Sequence, residues 1–338
     1  MNMGMAETRY RKQSRIVVRN IKMIGEFIMQ ELYYNGKLIL GVDHGYGNMK
    51  TAHRVFAASV EKEVQLGATA LEYKGKEYGI GGGHKEFQVQ KINDEDYWIL
   101  TLAAVAEELK FRGKHEAVLH LAAGVPLFWV KEQKESFREY LLREKDVHFK
   151  YNGESYHVVV ADASIHPQGY AAFINYDGDI RGNTVLADIG NGTMNVAFMQ
   201  NGKPLAGKIF TEQFGVYQCM KKARNEVMRN CQCEVPDHII EEVFRKGTAD
   251  IPERYIQAVS EVAKDYVMQV FSKLREYGYN PDLMKLYVIG GGGCLIKNFA
   301  QYDADRVTII QDICATAKGY ELLALQTLKR TQSRGKAS

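Results

Sequence analysis

The chain carries one short pattern twice. Leu38-Ile39-Leu40-Gly41-Val42 runs into Asp43 and then His44-Gly45-Tyr46-Gly47-Asn48-Met49-Lys50. Thr184-Val185-Leu186-Ala187 runs into Asp188 and then Ile189-Gly190-Asn191-Gly192-Thr193-Met194-Asn195. Each apolar run has the length and composition of a buried strand, and each Asp is followed by glycines two and four residues on. Glycine has no Cβ, so successive backbone N–H groups can turn inward as an anion-binding nest. An aspartate beside such a nest makes sense when Mg²⁺ lies between it and phosphate oxygens, reached through water because Mg²⁺ dehydrates reluctantly. Lys50 adds a point charge for a phosphate. A single copy is also what an ordinary hairpin turn looks like. Two copies, one near the start of each half, predict two related lobes closing on one ligand.

A third strand, Lys285-Leu286-Tyr287-Val288-Ile289, runs into Gly290-Gly291-Gly292-Gly293. This is not a dinucleotide fingerprint, which would need glycine where Leu295 stands. The four glycines predict a flat backbone surface on which an adenine ring or a sugar could lie.

At 338 residues the chain fits two domains better than one. Its 46% hydrophobic and 25% charged content is ordinary for a globular protein. The net charge of +3 is accounted for by residues 1–35, which hold six Lys or Arg against three Glu. The neutral remainder gives no basic face for wrapping nucleic acid. The five cysteines form no metal spacing, and Cys231-Gln232-Cys233 has no matching pair, so reduced thiols are expected. No run of eighteen apolar residues exists to span a membrane. Val17, Ile21, Ile24, Ile28 and Leu32 make an apolar stripe at helical spacing on the basic lead segment, so residues 1–35 read as a lead or an amphipathic helix. One short basic helix binds membranes only marginally, and no stable membrane contact is expected.

Further along, Thr51–Val60 and Leu71–Ile80 read as strands, the second hairpin turning on Gly75. Gly79-Ile80-Gly81-Gly82-Gly83 lacks an acidic partner and a following helix, and reads as turn chemistry. Helices are expected at Tyr97–Lys110, Val130–Arg143, Val216–Asn230, Pro236–Arg245, Pro252–Tyr277 and Ala315–Lys329. Strands are expected at Ala117–Ala123, Tyr156–Ala163 and Arg306–Ile310, with a hairpin on Asn201-Gly202. The alternation implies an α/β core. His44, His84, His120 and His166 make no ligand set or triad, and the 20 tyrosines make no stacking array.

In their order these elements resemble the actin-like ATPase superfamily, and within it the plasmid-segregation branch of ParM and StbA. The first loop is similar to that branch as Asp43-x-Gly45-x-x-Asn48-x-Lys50, and Gly124-Val125-Pro126-Leu127 with the charged run after it is similar to the branch's G-L-P-L segment. The second loop resembles the superfamily's D-x-G-x-G-T, departing at Asn195, where relatives carry Asp or Glu. Ala315-Thr316-Ala317-Lys318-Gly319 resembles the A-N-A-x-G end piece, with Thr316 in place of Asn.

The resemblance implies an actin-like fold, a duplicated ribonuclease H-like α/β architecture of two lobes with a nucleotide cleft between them. It divides the chain into an extension (1–35), domain I (36–182) and domain II (183–338), whose last helix returns toward domain I. It implies that Asp43 and Asp188 hold hydrated Mg²⁺, and that Gly45, Tyr46, Gly47, Asn48, Lys50, Gly190, Asn191, Gly192 and Thr193 form the phosphate loops. Gly290, Gly291, Gly292 and Gly293 would lie at adenosine, and Gln168 would position the attacking water. The implied protein is a cytoplasmic bacterial ATPase that binds ATP, with GTP as the alternative because glycine backbone reads a base poorly. It would polymerise head to tail and move plasmid DNA through a ParR-type adaptor. The rival readings are a cell-shape scaffold at the membrane and a small-molecule kinase. The kinase would need a catalytic carboxylate where Gln168 stands.

Overall fold

The computed structural model describes residues 19–24, 27–64, 68–82, 95–174, 176 and 181–334. Among the described residues a hairpin of β1 (Arg19–Ile24) and β2 (Phe27–Glu31) pairs only with itself, and β3 (Tyr33–Tyr34) then pairs with β4 (Lys37–His44). β4 is followed by β5 (Asn48–Lys50), β6 (Val55–Ala57), β7 (Val60–Glu61), β8 (Thr69–Tyr73) and β9 (Lys76–Ile80). Next come α1 (Asp96–Phe111), β10 (Glu116–Val125), α2 (Val130–Leu141), β11 (Asp146–Tyr151), β12 (Glu154–Pro167) and α3 (Tyr170–Ile174). The second half runs β13 (Asn183–Ile189), β14 (Met194–Gln200), β15 (Lys203–Glu212), α4 (Val216–Cys231), α5 (Asp237–Lys246), α6 (Glu253–Glu276), β16 (Lys285–Ile289), α7 (Gly292–Phe299), β17 (Val307–Ile309) and α8 (Ala315–Arg334).

The duplication read in the sequence is a duplication of topology. One sheet contains β6-β5-β4-β10-β12 and the other is β15-β14-β13-β16-β17. In each, the Asp-bearing strand (β4 or β13) opens an antiparallel meander on one side and pairs in parallel with the next strand on the other. Parallel pairing needs a crossover, and α1 and α4–α6 supply the helical cover it requires. β11, β8, β9 and β7 extend the first sheet only. Each sheet has its own core: Leu38, Leu40, Leu100, Leu119 and Val158 in the first lobe, Val185, Val196, Val227, Val267 and Val288 in the second.

Two helices exchange lobes. α3 follows the first lobe's β12, yet Ala172 and Phe173 pack with Leu186, Ala197 and Tyr287 of the second sheet. α8 follows the second lobe, yet Tyr320, Ala324 and Leu325 pack with Ile39 and Ala122 of the first. Small residues permit the crossing: a Cβ at Gly319 would lie 1.9 Å from the Ala171 carbonyl oxygen, and one at Gly41 would lie 2.1 Å from that of Ala317.

Several expectations need correction. The amphipathic helix over the lead segment is replaced by the β1–β2 hairpin, with Val17 outside the described residues. Gly25 interrupts the helical run and Ile21, Ile24 and Ile28 are β-branched, so local preference favours strands. Leu32 is buried in the seam with α8. The strand expected over Thr51–Val60 is reduced to β6 and the start of β7. β11 and α7 lie where no element was expected. The glycine run at 81–83 follows β9 as turn, with Gly83 outside the described residues.

Candidate nucleotide site

Both loops leave the ends of their central strands at the seam between lobes. In the first, β4 turns through Gly45–Gly47 into β5, so that Asp43 pairs with Lys50 across the ladder. The Lys50 Nζ lies 3.2 Å from Asp43 Oδ2. A side chain at 45 would strike the Asn48 carbonyl at 2.4 Å, so this glycine serves the turn itself. In the second loop the Gly190 N–H donates to the Thr193 carbonyl at 2.9 Å. The N-terminus of α4 is tied to that loop by Val216 N–H on the Gly190 carbonyl and Tyr217 N–H on that of Asn191. The two loops meet: a Cβ at Gly47 would lie 3.2 Å from the Asn191 side-chain amide.

Asp43 and Asp188 are both buried, 2% and 8% exposed. Burial pushes the Asp188 carboxyl up to about 6, with the charge of Asp43 adding to the rise and Lys50 opposing it. Burial works against the Lys50 ammonium, but Asp43 and Asp188 outweigh it and its pKa is raised. Two aspartates therefore share one ammonium, a charge balance that a divalent cation would correct. Two glycines make room at Asp188. Gly169 and Gly290 have φ of +74° and +81°, and a Cβ on either would come within 3.1 Å of an Asp188 carboxylate oxygen. Both positions need the left-handed backbone and the missing side chain.

Gln168 sits between β12 and α3, where its N–H donates to the Val125 carbonyl at 2.9 Å. Its side-chain Nε2 donates to Asp43 Oδ1 at 3.3 Å. Gln168, Gly169, Asp188 and Asn195 line a pocket of only about 10 Å³. It lies beside a cavity of about 460 Å³ lined by Phe128, Trp129, Thr193, Thr211 and Tyr277. Asn195 accepts a hydrogen bond from Thr211 Oγ1 at 3.0 Å, which fixes its amide. Two larger concavities touch neither loop: about 870 Å³ around Tyr73, Trp98 and Arg143, and about 820 Å³ between α6 and residues 299–307.

The four glycines after β16 do not make the expected flat surface. Gly290 and Gly291 are exposed, whereas Gly292 and Gly293 open α7 and are buried. A Cβ at Gly292 would lie 2.3 Å from Ile189 Cγ2, and one at Gly293 would lie 3.0 Å from Ile309 Cγ2. Strand–helix packing explains the second pair.

Sequence reasoning missed the layer under the first loop. Thr51 Oγ1 donates to Glu108 Oε2 at 2.5 Å, and His53 Nδ1 lies 2.6 Å from Glu108 Oε1. Arg112, fully buried, bridges Glu108 at 2.6 Å and Glu321 of α8 at 3.1 Å, and Gly41 N–H donates to Glu321 at 3.1 Å. Burial alone would raise the Glu108 carboxyl. The His53 hydrogen bond and the Arg112 charge outweigh it and hold it at about 2, while burial dominates at Glu321 and raises it. The i,i+4 spacing of Glu108 and Arg112 was the only local signal of this cluster.

Two related sheets joined by exchanged helices, with the acidic strand ends meeting at the seam, define a two-lobed protein of the actin-like class. Residues 41–170 match the family described as actin-like proteins, N-terminal domain, and residues 186–301 match the archaeal actin homologue MreB-like C-terminal domain. The chain belongs to the actin-like superfamily. No curated protein matches it by sequence. Among solved structures it is similar to the Alp12 filament structure (15% identity, 87% of this chain and 99% of that one, TM-score 0.64). It is similar to an archaeal actin homologue in complex with ADP (19%, 85% and 99%, 0.66) and to Bacillus thuringiensis ParM with ATP (13%, 87% and 99%, 0.65). At these identities the likeness is one of fold. Among the described residues no helix is long and apolar enough to cross a membrane.

Proposed function

We propose that this protein is a bacterial cytoplasmic ATPase that assembles into nucleotide-dependent filaments and segregates plasmid DNA through a ParR-type adaptor. The observation that carries the reading is the contact of Gln168 with Asp43 beside the buried Asp188. It groups an amide able to orient water with two carboxylates suited to a hydrated cation. Phosphoryl transfer needs in-line positioning and charge neutralisation more than a strong base. Bound Mg²⁺ would neutralise phosphate charge. Asp43 and Asp188 would hold its waters, and Lys50 and the backbone of Gly45–Asn48 and Gly190–Thr193 would hold phosphate. Gly290 and Gly291 would face adenosine, their exposed backbone giving little to tell adenine from guanine. Gln168 orients water but takes no proton at neutral pH, so turnover is slow. A carboxylate at that place would have favoured a kinase.

The solved ATP-bound, ADP-bound and filamentous structures of similar fold support a switch between nucleotide state and assembly in this chain. A head-to-tail contact that closes no ring grows an open filament. A body of neutral net charge suits a protein that leaves DNA to an adaptor.

High-speed pelleting with Mg-ATP, Mg-ADP and no nucleotide tests the proposal. The expected result is a pellet with triphosphate alone, and Gln168→Ala should slow phosphate release by about 10- to 100-fold while sparing nucleotide binding. No pellet under any condition at micromolar protein would reject the filament. Unchanged hydrolysis in Gln168→Ala would remove that side chain from the mechanism.

A further inference from the structure

A second cluster of side chains lies far from the nucleotide loops, on the solvent face of the first sheet. β11 and β12 run antiparallel with His148 opposite His157, and Asp146 stands two residues before His148 on the same face. The two imidazoles stack with ring centres 4.0 Å apart and planes 8° from parallel. His157 Nε2 lies 2.8 Å from Asp146 Oδ1, and His148 Nε2 lies 3.4 Å from the same oxygen. All three donor atoms fall within 4.8 Å of one another. The cluster is near the start of β12, roughly 35 Å from Gln168 at a rise of about 3.3 Å per residue, so it serves no step at the cleft.

We propose that Asp146, His148 and His157 form a surface site for a divalent transition-metal ion of the zinc class. Bonds of about 2.0–2.1 Å to nitrogen and oxygen imply donor separations of about 3.3 Å around a tetrahedron, and the two Nε2–Oδ1 separations, 2.8 and 3.4 Å, lie on either side of that value. Two imidazole nitrogens with one carboxylate suit zinc, nickel or copper, whereas magnesium and calcium prefer all-oxygen shells. The donors stand on paired strands, Asp146 opposite Val159 and His148 opposite His157, with β10 on the far side of β12 at His157, so their backbone is held before any ion arrives. The rings stack nearly parallel, so each must turn about its Cβ–Cγ bond to aim its Nε2 lone pair at an ion held between them. Three protein donors leave a position for water, and Glu116 of β10, in register with His157, borders it. A bound ion would clamp β11 to β12 on the face that carries no core.

The test uses the full chain, freed of metal with a chelator and titrated with Zn²⁺ against a chromogenic competitor, with Co²⁺ absorption as a second probe. The expected result is one Zn²⁺ per chain at about micromolar affinity or tighter, and His148→Ala or His157→Ala weakening it by about tenfold or more. Co²⁺ should show visible bands without the near-ultraviolet thiolate band that Cys231 or Cys233 would give. Both histidines face solvent, so circular dichroism melting should be unchanged in the variants. Undiminished binding in the His148→Ala/His157→Ala double variant, a thiolate band, or no binding at about 100 μM Zn²⁺ would each overturn the proposal.

Discussion

Asp188 shows how one residue's charge is set by what surrounds it. Its carboxyl sits at about 6 because it is buried and faces Asp43, against about 3.9 in an unfolded chain. A raised acid holds its proton in the folded state over a window where the unfolded chain has lost it. Stability from this group is therefore greatest below pH 4 and falls as pH rises from about 4 to 6. At 1.36 kcal/mol per unit the loss is at most about 3 kcal/mol. Glu108, held at about 2, has the opposite sign, its contribution being lost as pH falls below about 4. The two are separated by difference: urea unfolding of wild type and Asp188→Asn from pH 4 to 7, without Mg²⁺, should show the variant gaining relative stability across that range. Parallel curves would mean that Asp188 ionises freely.

At the scale of elements, the junction of α1, the first loop and α8 rests on one guanidinium. Arg112 has no exposed side-chain surface and faces two carboxylates from helices far apart in sequence. Removing it leaves both carboxylates buried with Thr51, His53 and the Gly41 amide as their remaining partners. Breaking a buried pair from one side costs about 3–5 kcal/mol, so Arg112→Met should lower the unfolding free energy by that amount in urea. Adding Glu321→Gln should restore part of it by removing one stranded charge. A loss under about 1 kcal/mol would mean that water reaches the cluster. Because Glu108 also holds Thr51 and His53 just after the loop, Arg112→Met should weaken nucleotide binding as well as stability.

At the scale of the whole molecule, the two lobes are tied by exchange of α3 and α8, and the first hairpin stands apart from that exchange. Among the described residues β1 and β2 pair only with each other. At the end of the hairpin, Glu31 meets Lys114 at 2.7 Å, and the Tyr34 hydroxyl donates to the Leu328 carbonyl and Gln332 on α8. A chain starting at Met29 keeps these contacts and should melt within about 1 kcal/mol of the full chain, and the proposed Mg-ATP pelleting should be the same for both chains. A larger loss would place the hairpin in the body's core. Equal flotation of both chains with liposomes is expected, since the amphipathic helix that suggested a membrane face is not formed.

The sequence by itself determined the paired Asp-glycine loops, the strands that carry them and most helix positions, because these follow from apolar period and backbone chemistry within a few residues. Pro252 before α6, Gly247 after α5 and Asn201-Gly202 between β14 and β15 mark their boundaries locally. Only the tertiary structure decided which glycines face a ligand and which face a core. Gly292 is required by Ile189, and Gly319 by Ala171, residues far away along the chain. The Glu108–Arg112–Glu321 bridge, the meeting of His148 with His157, and the elevation of Asp188 are of the same kind. Charge and packing depend on distances through space, and a sequence records only distances along the chain.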